Sequence, residues 1–163
     1  MGHSRIGREE AAAMEPIRKI LCPIDFSESS EVGLDTALTL ARILGSKVEL
    51  VHVIQPPIYV GWEDSPAGLA ASAQVLEQSR QHATQQLEAA KAKYSGRDVP
   101  IAIHLVEGTP HHEISELSKQ VDLIVLSTHG RTGLPHLLLG SVAERVVRTA
   151  SCPVMTVPTR KEK

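Results

Sequence analysis

Aromatic side chains are nearly absent from this chain of 163 residues, which has one Phe, two Tyr and one Trp. Phe26, Tyr59, Trp62 and Tyr94 are too few and too scattered to form a stacking platform for single-stranded nucleic acid, and the core must be aliphatic. Basic blocks are missing too. The net charge is -2 with His neutral, and only Arg160-Lys161 makes a short basic tail, which argues against nucleic acid as a partner. No window approaches the roughly 18 continuous apolar residues of a membrane span, so no membrane partner is expected. The first residues contain no apolar core of a signal peptide. Cysteine is scarce. Cys22 and Cys152 each precede a proline in an apolar context, and they read as buried free thiols in a reducing compartment, not as a disulfide framework. The expectation is a cytoplasmic protein.

What is present fits one domain. Hydrophobic residues make up 42% and charged residues 22%, ordinary usage for a chain long enough to bury a sizeable core. Residues 1–16 read as a flexible extension, 17–158 as an α/β domain and 159–163 as a charged tail. Arg18 to Asp25 reads as a strand. Ser27 caps a helix with Glu28 and Glu31 in its first turn; Leu34, Leu38, Ala41 and Leu44 repeat at helical spacing, and Gly45 ends it. A second strand covers Lys47 to Ile54 and stops at Gln55-Pro56-Pro57. After a loop to Pro66, a long helix runs to Tyr94, with Leu69, Ala73, Leu76, Ala83, Leu87 and Ala90 as its apolar stripe. Val99 to Val106 alternates as a third strand, and Thr109-Pro110 opens a short helix with Ile114 and Leu117 inward. A fourth strand, a glycine-rich loop, a last helix and a fifth strand, Pro153 to Val157, follow. This alternation predicts a doubly wound, Rossmann-like five-stranded parallel sheet with helices on both faces. Ligands of such sheets bind past the carboxyl ends of the strands, where Asp25, Val53 and Ser127 converge.

The stretch that carries chemistry is Ser127-Thr128-His129-Gly130-Arg131-Thr132-Gly133, leading to Gly140-Ser141-Val142-Ala143-Glu144. A strand feeding a helix through glycines brings free N–H groups and the positive end of a helix dipole to one place, which suits a phosphate. A plainer reading is also open: Ser141-x-x-Glu144 is a capping box, complete without a ligand. Asp25 has two readings as well, a ligand acceptor or an acceptor for turn N–H groups near Ser27.

Pro23-Ile24-Asp25-Phe26-Ser27, Leu50-Val51-His52-Val53, the run from Ser127 to Val146, and Cys152-Pro153-Val154 together resemble the universal stress protein family. The resemblance spans about Ile17 to Pro158. Its nucleotide-binding branch carries Gly-x-x-Gly, nine residues, then Gly-Ser or Gly-Thr. Here Ser127 replaces the first glycine, while Gly130 and Gly140-Ser141 stand in place. The resemblance implies ATP as ligand, with Mg2+ or Mn2+ on the phosphates. It implies that Pro23, Ile24, Val53 and Leu126 shape an adenine slot and that Asp25 accepts from ribose or adenine or helps hold the metal. Ser127, Gly130, Arg131, Gly140, Ser141, Val142 and Ala143 then surround the phosphates. It further implies a homodimer, which would cover the fifth strand, Pro153 to Val157, at the sheet edge.

Other signals are weaker. His111-His112-Glu113 does not suit a metal, because adjacent helical side chains diverge. His52 and His104 sit among apolar strand residues. No Gly-Lys-Ser/Thr phosphate loop or placed general base points to an efficient hydrolase, so ATP turnover is expected to be slow or absent. The first strand-to-helix turn lacks Gly-x-Gly-x-x-Gly, which disfavours a dinucleotide oxidoreductase. Two classes remain: an ATP-binding stress or signalling dimer, or a dimeric interaction module of the same fold that holds no ATP.

Overall fold

Each helical crossover returns the chain in the same direction, so strict strand–helix alternation builds a parallel sheet. The computed structural model, which describes residues 15–56, 65–128 and 139–158, has this architecture. Its strands are β1 (Lys19–Pro23), β2 (Lys47–Ile54), β3 (Ile101–Glu107), β4 (Leu123–Ser127) and β5 (Val154–Val157). All pair in parallel, in the order β3-β2-β1-β4-β5. The doubly wound α/β sheet expected from the sequence is therefore observed, with β3 and β5 at its edges.

The helices are α1 (Glu28–Leu44), α2 (Pro66–Tyr94), α3 (Pro110–Leu117) and α4 (Ser141–Thr149). Strand side chains alternate between two aliphatic clusters. Ile20, Cys22, Val48, Leu50 and Val125 pack with Leu34 and Leu38 of α1 and Leu87 and Tyr94 of α2. Leu21, Val51, Ile124 and Leu126 pack on the opposite face with Ile114 of α3 and Val146 of α4. Two helices thus cover each face. Local signals set the ends of α1: the Ser27 hydroxyl accepts from the Ser30 N–H, and Gly45 takes the left-handed conformation (φ 68°) that closes the helix. Asp122 ties the sheet at its other end. One of its oxygens accepts the N–H groups of Arg18 and Lys19, each at 2.8 Å, and joins the start of β1 to the start of β4.

Only half of the stripe expected on α2 packs. Ala83 and Leu87 are buried, whereas Leu69 is 59% exposed and Ala73 is exposed as well. Length explains this. A helix of 29 residues is about 44 Å long, while the eight-residue β2 spans about 26 Å. Arg80 pairs with Glu107, the last residue of β3, so the turns before Arg80 extend past the carboxyl end of the sheet.

Both cysteines are free. Cys22 is fully buried on β1, and burial pushes its thiol up to about 12. Cys152 is half-buried in the turn before β5, not on a strand; burial, and then Asp122, raise its thiol as well. No helix among the described residues is long and apolar enough to cross a membrane.

The divided role of α2 has a measurable consequence. Leu87→Ala should lower stability by about 2–5 kcal/mol in urea unfolding, as for a fully buried leucine. Leu69→Ala should stay within about 0.5 kcal/mol.

Candidate functional site

Strand order reverses between β1 and β4, so the crevice of this sheet opens past their carboxyl ends. On the β1 side the chain leaves Pro23, the last strand residue, and turns through Ile24, Asp25 and Phe26 into Ser27. Asp25 Oδ1 accepts from the Ser27 N–H at 3.1 Å and from the Ser27 hydroxyl at 2.5 Å. The turn role weighed for Asp25 is therefore present, and it fixes the orientation of the carboxylate. Phe26 is held at φ 63°, a left-handed conformation that bulky residues rarely adopt.

His52, near the end of β2, braces this turn from below. Its Nδ1 lies 2.7 Å from the Ile24 carbonyl. A carbonyl only accepts, so Nδ1 carries the proton and donates. The imidazole also lies against the Phe26 ring, with centroids 4.5 Å apart. The Ile24 N–H donates to the Val51 carbonyl at 2.8 Å, so β2 holds both backbone groups of Ile24. Sequence reasoning did not assign His52 this part. Its only signal was a polar ring at the end of an apolar strand.

On the β4 side, Ser127 is half-buried and Thr128 buried. The Thr128 N–H donates to the Val157 carbonyl at 3.0 Å, and its carbonyl accepts the Gly140 N–H at 2.6 Å. That second bond corrects the capping-box reading. Gly140, with φ -68° and ψ 156°, is the N-cap of α4, and Ser141 is its exposed first helical residue. Pinned to Thr128, Gly140 holds the extended conformation a cap requires, and α4 starts one residue earlier than the box implied. The Glu144 N–H donates to the Gly140 carbonyl at 2.9 Å. The N–H groups of Ser141, Val142 and Ala143 form the first turn and have no acceptor within the helix.

The expected slot residues divide between the two faces. Val53, Leu126, Val142 and Ala143 belong to the cluster beneath α3 and α4. Ile24 packs into the opposite cluster, with α1 and α2, so it serves the crevice through its backbone. Gly130 and Arg131 lie outside the described residues, as do His129, Gly133 and His136.

Two further histidines have carboxylate partners. His112 Nδ1 lies 3.0 Å from the Glu113 carboxylate on the exposed start of α3. His104 Nε2 is bonded to Glu49, whose other oxygen is 2.6 Å from the Lys47 ammonium. Burial pushes the Glu49 carboxyl up, but the hydrogen bonds from Lys47 and His104 outweigh it and hold the group below the usual carboxylate range. Among the described residues, no three His, Cys, Asp or Glu side chains converge to hold a metal ion.

A parallel sheet of this order, a glycine-capped α4 and an anchored Asp25 are thus combined in one crevice. The sequence profile of the universal stress protein family matches residues 16–158. The chain belongs to the universal stress protein family. It is similar to universal stress protein MJ0531 of Methanocaldococcus jannaschii, with 34% identity over 149 residues covering 89% of this chain and 84% of that one. It is also similar to MJ0577 of the same organism, with 30% identity over 156 residues covering 86% and 94%. The solved structure of MJ0577 matches with a TM-score of 0.78 at 28% identity, covering 90% of this chain and 99% of that one. Two more distant structures share the fold. One is a universal stress protein in complex with cAMP, with TM-score 0.66 at 24% identity, covering 87% and 97%. The other, from Archaeoglobus fulgidus, is in complex with dAMP, with TM-score 0.58 at 21% identity, covering 86% and 96%.

The brace at Ile24 is open to test. His52→Leu removes the donor to its carbonyl and should cost about 1–3 kcal/mol in thermal unfolding, the cost of stranding a buried acceptor. His52→Asn, which places an amide N–H near the Nδ1 position, should recover part of that loss.

Proposed function

We propose that the crevice binds an adenine nucleotide, ATP with Mg2+ or Mn2+, and that this universal stress protein acts in the cytoplasm as a stress-response or signalling dimer with little or slow hydrolysis. The observation that carries the reading is the first turn of α4. Its open N–H groups are held beside the end of β4 by the bond from Gly140 to Thr128. A phosphate chain there would accept from the Ser141, Val142 and Ala143 amides and gain from the helix dipole. Gly140 supports the same reading: φ -68° suits any residue, so the conformation does not demand glycine, and its missing side chain leaves room for close approach. Val53, Leu126 and Pro23 supply an apolar wall for the base, and the Asp25 carboxylate supplies an acceptor for ribose or adenine. Ser127, Gly130 and Arg131 complete the phosphate end in this proposal. A divalent metal would offset the phosphate charge. The cAMP and dAMP complexes of the more distant proteins are consistent with an adenine nucleotide on this fold.

A second reading keeps the fold and the dimer but no nucleotide. One observation favours it: the Gly140 N–H and Asp25 Oδ1 already have partners inside the chain. Titration calorimetry with magnesium and ATP separates the two. Binding at micromolar concentration, lost in Gly140→Ala and Asp25→Ala, is the expected result. No heat from folded protein at high concentration would leave only the interaction module.

The proposed dimer uses β5, which has β4 on one side and stands last in the sheet. Val154 and Val157 pack into opposite clusters, so charges there would disturb the core. Met155 is 40% exposed and is the cleaner probe. Met155→Asp should shift the sedimenting species toward monomer without lowering the unfolding midpoint by more than a few degrees.

A further inference from the structure

Gly33 lies in the buried face of α1, where helix propensity disfavours glycine. Its surroundings give the reason. A Cβ at this position would lie 3.2 Å from the Ser127 nitrogen, 3.6 Å from the Leu126 carbonyl carbon and 3.7 Å from the Ser127 Cβ. The shortest of these distances is tighter than ordinary van der Waals contact. It is made against main chain, with no flexible side-chain end to move aside.

Neither backbone is at liberty to retreat. Ser127 is in register with Val157 on β5, and the next residue, Thr128, donates to the Val157 carbonyl while accepting from Gly140. Moving the end of β4 therefore moves β5 and the start of α4. Lifting α1 moves its cap, Ser27, which holds Asp25 through both its N–H and its hydroxyl. The distance between α1 and β4 at Gly33 consequently sets the distance between the two walls of the crevice, Asp25 on one side and the first turn of α4 on the other.

We infer that Gly33 is a positioning residue for this crevice. The Cβ absent from α1 lets its backbone rest on the Ser127 amide, while the Ser127 Cβ stays at an ordinary packing distance. For its ligand, an adenine nucleotide spanning both walls, the inference rests on the reading given under the proposed function. For its packing it does not.

The test is a double-mutant cycle of Gly33→Ala, Ser127→Gly and the two combined. It has three readouts: the unfolding midpoint without nucleotide, the backbone amide resonances of Ser127, Thr128 and Gly140, and the affinity for magnesium and ATP by calorimetry. Gly33→Ala should lower the midpoint, move those three resonances and weaken ATP by about tenfold, since displacements well under an ångström already disturb bound geometry. In the Ser127→Gly background the same change should have a similar effect on all three, because the tight contact is with the Ser127 nitrogen, which that substitution leaves in place. A Gly33→Ala protein with a raised midpoint and unmoved resonances would overturn the inference, leaving only the gain in helix propensity. A clearly smaller effect in the Ser127→Gly background would overturn the main-chain contact as the cause. If the unsubstituted protein binds no ATP, the nucleotide reading fails, and the midpoint and the resonances still decide the role of Gly33.

Discussion

The hydrogen bond from the Gly140 N–H to the Thr128 carbonyl sets where α4 begins and which way its first turn faces. Thr128 also gives its own N–H to Val157, so one buried residue holds the end of β4, the edge strand β5 and the start of α4 together. The opposite wall is secured in the same manner, through main chain. Ile24 is bonded through its N–H to Val51 and through its carbonyl to His52, and the turn that follows is locked by Asp25 and Ser27. Both walls of the crevice are thus backbone held by backbone, with a few polar side chains as clasps. Such a frame tolerates changes in the apolar side chains lining it better than changes in the bonds that set its width.

Most of the fold was legible in the sequence because its signals are local. Ser27 with Glu28 and Glu31 marked the start of α1, and Gly45 marked its end. The apolar runs of the strands matched a parallel sheet covered on both faces. The failures share a cause. Ser141-x-x-Glu144 has the right residues for a cap, but a bond to Thr128, distant in the chain, placed the cap at Gly140. The stripe on α2 has the right period from Leu69 onward, but periodicity carries no information about where the sheet beneath it ends. The link from His52 to Ile24 depends on the register that sets Pro23 beside Val51, which no single strand specifies alone.

The same logic divides the candidate site. Pro23-Ile24-Asp25 is one short motif, yet strand alternation sends Ile24 into the core under α1 and α2, away from Val53 and Leu126. The grouping of Val53, Leu126, Val142 and Ala143 needed the sheet order to become visible, since those residues come from three separate elements. Residue type told which atoms could meet a phosphate or a base, and topology told which of them meet at all.

Cys22 sits in the middle of this frame, on the strand that leads into Asp25. With its thiol pushed up by burial, little thiolate forms at neutral pH, and the thiolate is the nucleophile that attacks peroxides and disulfides. Oxidants therefore find no chemical entry at the inner strand of the crevice. The half-buried thiol of Cys152 is the more accessible of the two, and it lies beside the edge strand β5, so oxidation of the folded chain would be felt first at that edge and not at the crevice.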